Sequence, residues 1–295
     1  MMGVKPAQFE YFQPSTLSDA VSLLEDLGPA AKIIAGGQSL LPLMNFRLAR
    51  PPYLVDINRI SELGRISVEE NSIKIGALVR HSALLRDPLI NKNMPVLTEI
   101  AKYIGHTHIR NRGTFGGSVS HSDAAAELPV ASVALDATFR VVGSEGERFI
   151  TAEDFFITYL TTDIEPGEIL VEANIPLLSP NTGYGVQEIS RRHGDFALVL
   201  IITLLTLSAD GTCKNARFVI GGVSDRPLRA TEAEEYLIGR TITNEDFTKA
   251  ANLAAEECEP ESDLHCSAEY RKEMVREFGR KAIKEAFYRA KGEGK

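Results

Sequence analysis

Two glycine-bearing stretches, each leading into a helix-like run, constrain this chain more than any other feature. The longer spans Arg110 to Asp136 and sets Gly113, Gly116 and Gly117 among Thr114, Ser118, Ser120 and Ser122. Glycine lets the backbone take positive φ and lets a ligand reach the main chain without meeting a Cβ. Successive amides in such a loop can form a concave nest for an anion such as a diphosphate. Leu128-Pro129 then opens a small, apolar run that reads as a buried helix with proline in its first turn. The shorter stretch, Lys32 to Pro42, reads as an apolar strand, a Gly36-Gly37 turn and a helix start. Two readings stand at this point: ordinary tight turns, or a grip on one long phosphate ligand from two sides. Neither stretch fits G-x-G-x-x-G or G-x-x-x-x-G-K-[ST], which argues against a Rossmann or P-loop nucleotide site. No lysine lies in either loop, so backbone donors would have to carry the phosphate contacts.

The bulk properties narrow the setting. Lys and Arg number 32 against 40 Asp and Glu, and the net charge of −8 argues against a nucleic-acid or anionic-membrane surface. No apolar run approaches the ~20 residues of a membrane helix, and Met1 to Pro6 carries no signal-like apolar region, so cytoplasmic residence is the expectation. The three cysteines, Cys213, Cys258 and Cys266, contain no C-x-x-C pair, which disfavours a disulfide framework or an iron–sulfur cluster on this chain. Cys258, Asp263, His265 and Cys266 lie close in sequence and read as a polar connector rather than a zinc site.

In chain order, a β-α-β piece of about fifty residues opens the sequence, with Leu17, Ala20, Val21, Leu24 and Leu27 at helical spacing before Gly28-Pro29. From Gly64 the pattern is β-rich, with a hairpin about an Asn-Ser turn. Pro176 to Gly183 is the best domain boundary. Three strand-like runs and three helices follow. In the last helix Tyr270, Met274, Phe278, Ile283 and Phe287 read as the buried stripe, with Arg271 on the solvated face.

Ala35-Gly36-Gly37-Gln38-Ser39-Leu40-Leu41-Pro42, then Arg47 to Pro51 and Leu54 to Ile57, resembles the FAD-binding medium subunit of molybdenum hydroxylases, the family of aerobic carbon monoxide dehydrogenase and xanthine dehydrogenase-like enzymes. Arg110 to Thr114 through Asp136, Arg191 to Ala197, Gly221-Gly222-Val223 and Ala268 to Arg271 continue the likeness, in order, along nearly the whole chain. The resemblance implies an α+β fold. A two-lobed FAD-binding domain of the vanillyl-alcohol-oxidase (PCMH) type spans residues 1–177, with lobes of about 1–58 and 59–177. A carbon monoxide dehydrogenase flavoprotein-like C-terminal α+β domain spans residues 182–290.

The resemblance also implies the site and the setting. Ile33, Ile34, Ala35, Gly36, Gly37, Gln38, Ser39 and Leu40, with Thr114, Gly116, Gly117 and Ser118, hold the FAD diphosphate. Glu127 contacts the flavin's polyol or the adjacent loop, a role compatible with that of an acid at a helix N-terminus, and Ile104, Ile109 and Leu170 pack around the cofactor. Where the family often carries an aromatic residue and then lysine, this chain has Val186 and Gln187, a change that bears on flavin tuning. His106 and His108 stand where relatives more often carry acidic or amide residues, and read as a loop contact in preference to a metal pair. With Gln38 in the loop, FAD is expected to be non-covalent. The implied partners are an iron–sulfur small subunit with [2Fe–2S] clusters and a large subunit with the molybdenum cofactor, in a dimer of heterotrimers. Electrons would pass from the clusters through FAD to an external acceptor. A self-sufficient flavin oxidoreductase, such as an enolpyruvyl reductase, and a non-catalytic FAD scaffold are the alternatives.

Overall fold

The computed structural model of the chain describes residues 5–293; residues 1–4, on which part of the N-terminal reading falls, lie outside it. The first lobe is a parallel sheet of β1 (Glu10–Phe12), β2 (Ala31–Ile34) and β3 (Tyr53–Asp56), with β3 in the middle. α1 (Leu17–Leu27) begins where Thr16 accepts from the Asp19 amide at 3.1 Å and ends at Gly28, whose φ is +67°. Its buried Ala20, Val21 and Leu24 pack on Val55 and Ile57, and on Ile169 and Val171 from the next layer. α2 (Leu40–Asn45) follows the first glycine turn.

The central body holds β4 (Ile66–Glu69), β5 (Ser72–Gly76), β6 (Thr138–Gly143), β7 (Gly146–Thr151), the small β8 (Phe156–Thr158) and β9 (Thr161–Thr162) pair, and β10 (Ile169–Pro176). Its five-stranded antiparallel sheet runs β4-β5-β10-β6-β7. Alternation sends Ile73, Ile75, Phe139, Val141, Ala173 and Ile175 inward, while Lys74 pairs with Glu69, and Arg140 with Glu147 and Glu172, on the opposite face. Between β5 and β6 lie α3 (His81–Leu84), α4 (Pro88–Asn93), α5 (Pro95–Ile100), α6 (Thr107–Arg112), α7 (Phe115–His121) and α8 (Glu127–Ala134), and α9 (Ala152–Phe155) follows β7. Every residue of α8 is buried, the polar Glu127 and Ser132 included, and the Ser132 hydroxyl is satisfied within the helix by the Leu128 carbonyl at 2.7 Å.

The C-terminal unit is an antiparallel sheet of β11 (Thr182–Ile189), β12 (Val199–Leu207), β13 (Cys213–Gly221) and β14 (Leu228–Arg229), in that order, with α10 (Thr231–Leu237), α11 (Asn244–Glu257) and α12 (Ala268–Ala290) on one face. The other face, through Val186, Leu200, Ile202, Leu204 and Val219, shares one core with α8 and the central body.

Three expectations need correction here. Gly113 to Ser118 is not an open loop: Thr114 caps a helix whose first residue is Phe115, and none of Gly113, Gly116 and Gly117 has positive φ. These glycines are required by close packing instead. A Cβ on Gly116 would lie 2.5 Å from the Ala77 side chain. In α12 the deepest positions are Val275, Gly279, Ala282, Ile283, Ala286 and Ala290; of the expected stripe Ile283 is buried, Met274, Phe278 and Phe287 are half-buried against the same core, and only Tyr270 is exposed. Gly183 and Gly185 of β11 press directly on the α12 backbone, which leaves room only for small side chains. Arg271 is buried rather than solvated, and donates to the carbonyls of Leu198 and Gly222 and to Asp263 at 2.7 Å.

Candidate cofactor site

The two glycine stretches meet. Gly36 faces the Arg112 carbonyl, and a Cβ there would overlap that oxygen and stand 2.8 Å from the Gly113 α-carbon. Arg80 links the same two segments, donating to the Arg112 carbonyl and, at 2.7 Å, to Asn58 Oδ1. Asn58 in turn donates to the Ala35 carbonyl at 2.8 Å and takes its orientation from Asp56, which accepts from the Asn58 amide at 2.8 Å and from the Tyr11 hydroxyl. The strand end at Asp56 thus fixes the first turn from behind.

The amides of the two stretches differ. Among the described residues, the N–H groups of Gly36, Gly37, Gln38, Ser39 and Leu40 have no protein acceptor. Those of Phe115, Gly116, Gly117 and Ser118 are all used: they donate to the carbonyls of Val79 and Ala77, to Thr114 Oγ1 and to the Thr114 carbonyl. Five unpaired consecutive donors, with Gly37 at φ +71°, form an anion-receptive turn of the kind successive amides make. The second stretch contributes a surface: Gly117 is exposed, and a Cβ there would approach only Thr114 of its own cap. The Ser118 side chain is half-buried beside it. Free backbone donors therefore lie on one side only, because helix formation consumes those of the second segment.

His81 braces the second segment. Its Nε2 donates to the Thr114 carbonyl at 2.8 Å while Nδ1 is buried with no partner, and burial pushes its pKa down to about 4. The ring is therefore neutral. Ile33 and Ile34 lie at the end of β2 before the turn, and Ile109 lies on α6 beside Gly105. Ile104 and Leu170 are buried in the central core with Phe115 and Val119, behind the cleft surface. Glu127 opens α8 and is buried; burial, with the Asp123 carboxylate adding, pushes its pKa up to about 7.

Gln187 does not join this group. It lies on the β11 face toward α12, where its amide donates to Glu285 at 2.8 Å. The neighbouring Glu188 shares the Val186 face, which packs on the central body. His106 rests on Gly194 of the C-terminal unit, with its ring 6.0 Å from that of His108 and 6.5 Å from that of His193, as a loop contact. Asp263 is engaged by the His265 and Cys266 amides and by Arg271. Among the described residues no three His, Cys, Asp or Glu side chains are grouped to hold a metal ion. Sequence reasoning missed Arg80, Asn58, His81 and Glu188. Only Glu188 left a signal, since it has the parity of Val186 in a strand.

Comparison with known families decides the identity. Residues 7–178 match the FAD binding domain in molybdopterin dehydrogenase, and residues 185–286 match the CO dehydrogenase flavoprotein C-terminal domain. The chain belongs to the family of molybdopterin dehydrogenase FAD subunits. It is an oxidoreductase subunit of the carbon monoxide dehydrogenase type, and its cofactor is FAD. It is 42% identical to the 6-hydroxypseudooxynicotine dehydrogenase complex subunit alpha of Paenarthrobacter nicotinovorans, over 98% of this chain and 97% of that one. It is 35% identical to the carbon monoxide dehydrogenase medium chain of Hydrogenophaga pseudoflava, over 96% and 99%. The fold superposes on the carbon monoxide dehydrogenase structure from that organism with a TM-score of 0.94 at 37% identity, covering 96% of this chain and 99% of that one. Quinoline 2-oxidoreductase from Pseudomonas putida 86 gives 0.92 at 38% identity, with 98% and 99% covered. No helix among the described residues of this FAD subunit is long and apolar enough to cross a membrane.

Proposed function

We propose that this subunit carries electrons from [2Fe–2S] clusters on a small partner subunit, through non-covalent FAD, to an external acceptor. A large partner subunit with the molybdenum cofactor oxidises the substrate, in a dimer of heterotrimers. The units at work are residues 1–177, with lobes of about 1–58 and 59–177, which hold FAD, and residues 182–290, which close over its seam. The observation that carries the reading is the run of five unpaired amides from Gly36 to Leu40, held rigidly against Arg112 and Gly113. FAD supplies the redox chemistry, taking and passing electrons singly or in pairs. The chain's own groups bind and orient it. The amides from Gly36 to Leu40 and the Ser39 hydroxyl receive the diphosphate, Gly117 and Ser118 line the opposite wall, and Glu127 is placed to accept from polyol hydroxyls. Residues 35–42 contain no histidine, cysteine or tyrosine to which flavin could be linked, and Gln38 is tied to the Gly36 carbonyl at 3.1 Å, so acid or heat should release free flavin.

The test compares the chain alone with the chain in its complex. FAD on the lone chain should show negligible turnover with organic substrates. With iron–sulfur and molybdenum partners present, substrate should bleach the flavin absorbance, and omission of the iron–sulfur partner should stop it. Rapid substrate-driven bleaching of the lone chain would reject the electron-transfer role in favour of a self-sufficient enzyme.

A further inference from the structure

The Arg80 guanidinium lies at the junction of the two glycine stretches, and no carboxylate answers its charge. Its backbone is tied to the second stretch: Arg80 bridges Thr114 in antiparallel fashion, and the His81 amide donates to the Gly113 carbonyl at 3.1 Å. Its side chain reaches both stretches. One amino group donates to the Arg112 carbonyl. The other donates at 2.7 Å to Asn58 Oδ1, and the Asn58 side-chain amide in turn holds the Ala35 carbonyl at 2.8 Å. All of these acceptors are neutral. Asp56, the acid that acts on Arg80, already accepts from Tyr11, Gln13 and Asn58. Arg140, Arg217, Arg229, Arg271 and Arg289 each meet a carboxylate within 3.2 Å. Among the described residues Arg80 forms no ion pair, and neither do Arg110 and Arg112 at the same seam.

A guanidinium stays charged at any ordinary pH, and partial burial without a counter-charge is unfavourable. Burial and the neighbouring Arg112 both act against the Arg80 charge. The chain as a whole carries −8, so this positive seam is a local feature. The turn that Arg80 braces through Asn58 and Ala35 is also the one with free amides from Gly36 to Leu40. We propose that Arg80 is a positioning residue for FAD, whose guanidinium fork closes the two stretches into one site and whose charge the FAD diphosphate neutralises. This rests on the reading that the Gly36 to Leu40 turn receives the diphosphate. Lysine at this position would keep the charge but not the planar fork that spans two acceptors.

Titration of the full-length apoprotein with FAD, followed by flavin fluorescence at about 0.05 M and about 0.5 M salt, tests the assignment. The sign is informative. Salt weakens attraction to a local cation, but it would strengthen binding of anionic FAD if the net charge of −8 governed the encounter. Wild-type affinity should fall with salt. Arg80→Met should bind FAD roughly ten- to a hundredfold more weakly at low salt, with a shallower or reversed salt dependence. Arg80→Lys should recover the salt dependence but only part of the affinity. A structural cross-link alone would lower the thermal midpoint of the Arg80→Met apoprotein and leave the wild-type salt dependence, and that result overturns the proposal. Wild-type FAD affinity in Arg80→Met overturns it as well. Should Arg80→Met fail to fold, Asn58→Asp decides: it sets a carboxylate against the intact guanidinium, so the salt dependence should flatten, and an unchanged slope overturns the assignment. Hydrogen exchange separates this role from the reading beneath it. If FAD does not slow exchange at residues 36–40 in wild type, the diphosphate reading of the turn falls and the role of Arg80 with it. If exchange slows while the Arg80→Met slope matches wild type, only the role of Arg80 falls.

Discussion

Gly36 and Arg112 touch main chain to main chain, and through that contact the first lobe is registered against the end of α6, three residues before α7 begins at Phe115. Any side chain on Gly36 must push the Arg112 carbonyl, which Arg80 also holds. Overpacking of this kind costs about 1–3 kcal/mol, or roughly five- to 150-fold in an equilibrium constant. Gly36→Ala should therefore weaken FAD binding by about that factor, read as FAD retained on gel filtration and by flavin fluorescence titration, with the C-terminal sheet intact by circular dichroism.

Gly116 and Gly117 are adjacent but separate fold from cofactor. A methyl on Gly116 enters the Ala77 backbone, whereas one on Gly117 meets only the Thr114 hydroxyl that caps the helix. Gly116→Ala should lower unfolding stability by about 1–3 kcal/mol through overpacking. Gly117→Ala should cost about 1 kcal/mol through the disturbed cap and show its main effect as lost FAD. Equal losses of stability in the two variants would refute the assignment of Gly117 to the ligand wall.

Acid should destabilise the protein through His81. Its ordinary value of 6.5 falls to about 4 on folding, so between these values the unfolded chain binds a proton that the folded chain refuses. The stability from this group is complete above about 6.5 and is lost as pH falls toward 4. Thermal midpoints measured from neutral pH downward should drop more steeply for wild type than for His81→Gln.

Thr203 sits in the middle of β12 with no exposed surface, and its Oγ1 has no partner. Thr203→Val keeps the shape and removes an unsatisfied hydroxyl, so it should stabilise the protein by about 1 kcal/mol in chemical denaturation. A loss of stability would mean that the hydroxyl is hydrogen-bonded in solution.

Local pattern made much of this molecule readable. The Ala35–Pro42 turn, the β4–β5 hairpin and the spacing in α1 depend on neighbours a few positions away, and each reads correctly. Gly116 misleads because glycine signals two different needs, positive φ and close approach, and the second depends on Ala77, which is distant in sequence. Arg271 misleads for a similar reason: its partners Leu198 and Gly222 lie far back along the chain, so a buried arginine looks like any surface cation of an amphipathic helix. Gln187 and Glu188 differ only in strand parity. Assigning the cofactor side to Gln187 required knowing which sheet face meets the central body, and buried Val186 was the available marker.

The contrast between occupied and unoccupied amides also bears on how the apoprotein behaves in time. The N–H groups of residues 115–118 are locked inside the fold, while those of residues 36–40 have no protein acceptor. Hydrogen exchange should be slow in the first set whether or not FAD is present, and fast in the second until FAD arrives. One wall of the cleft is therefore finished at folding. On the proposed reading the other is completed by the cofactor, and limited proteolysis of the apoprotein should then cut first around Gly37, with FAD protecting the site.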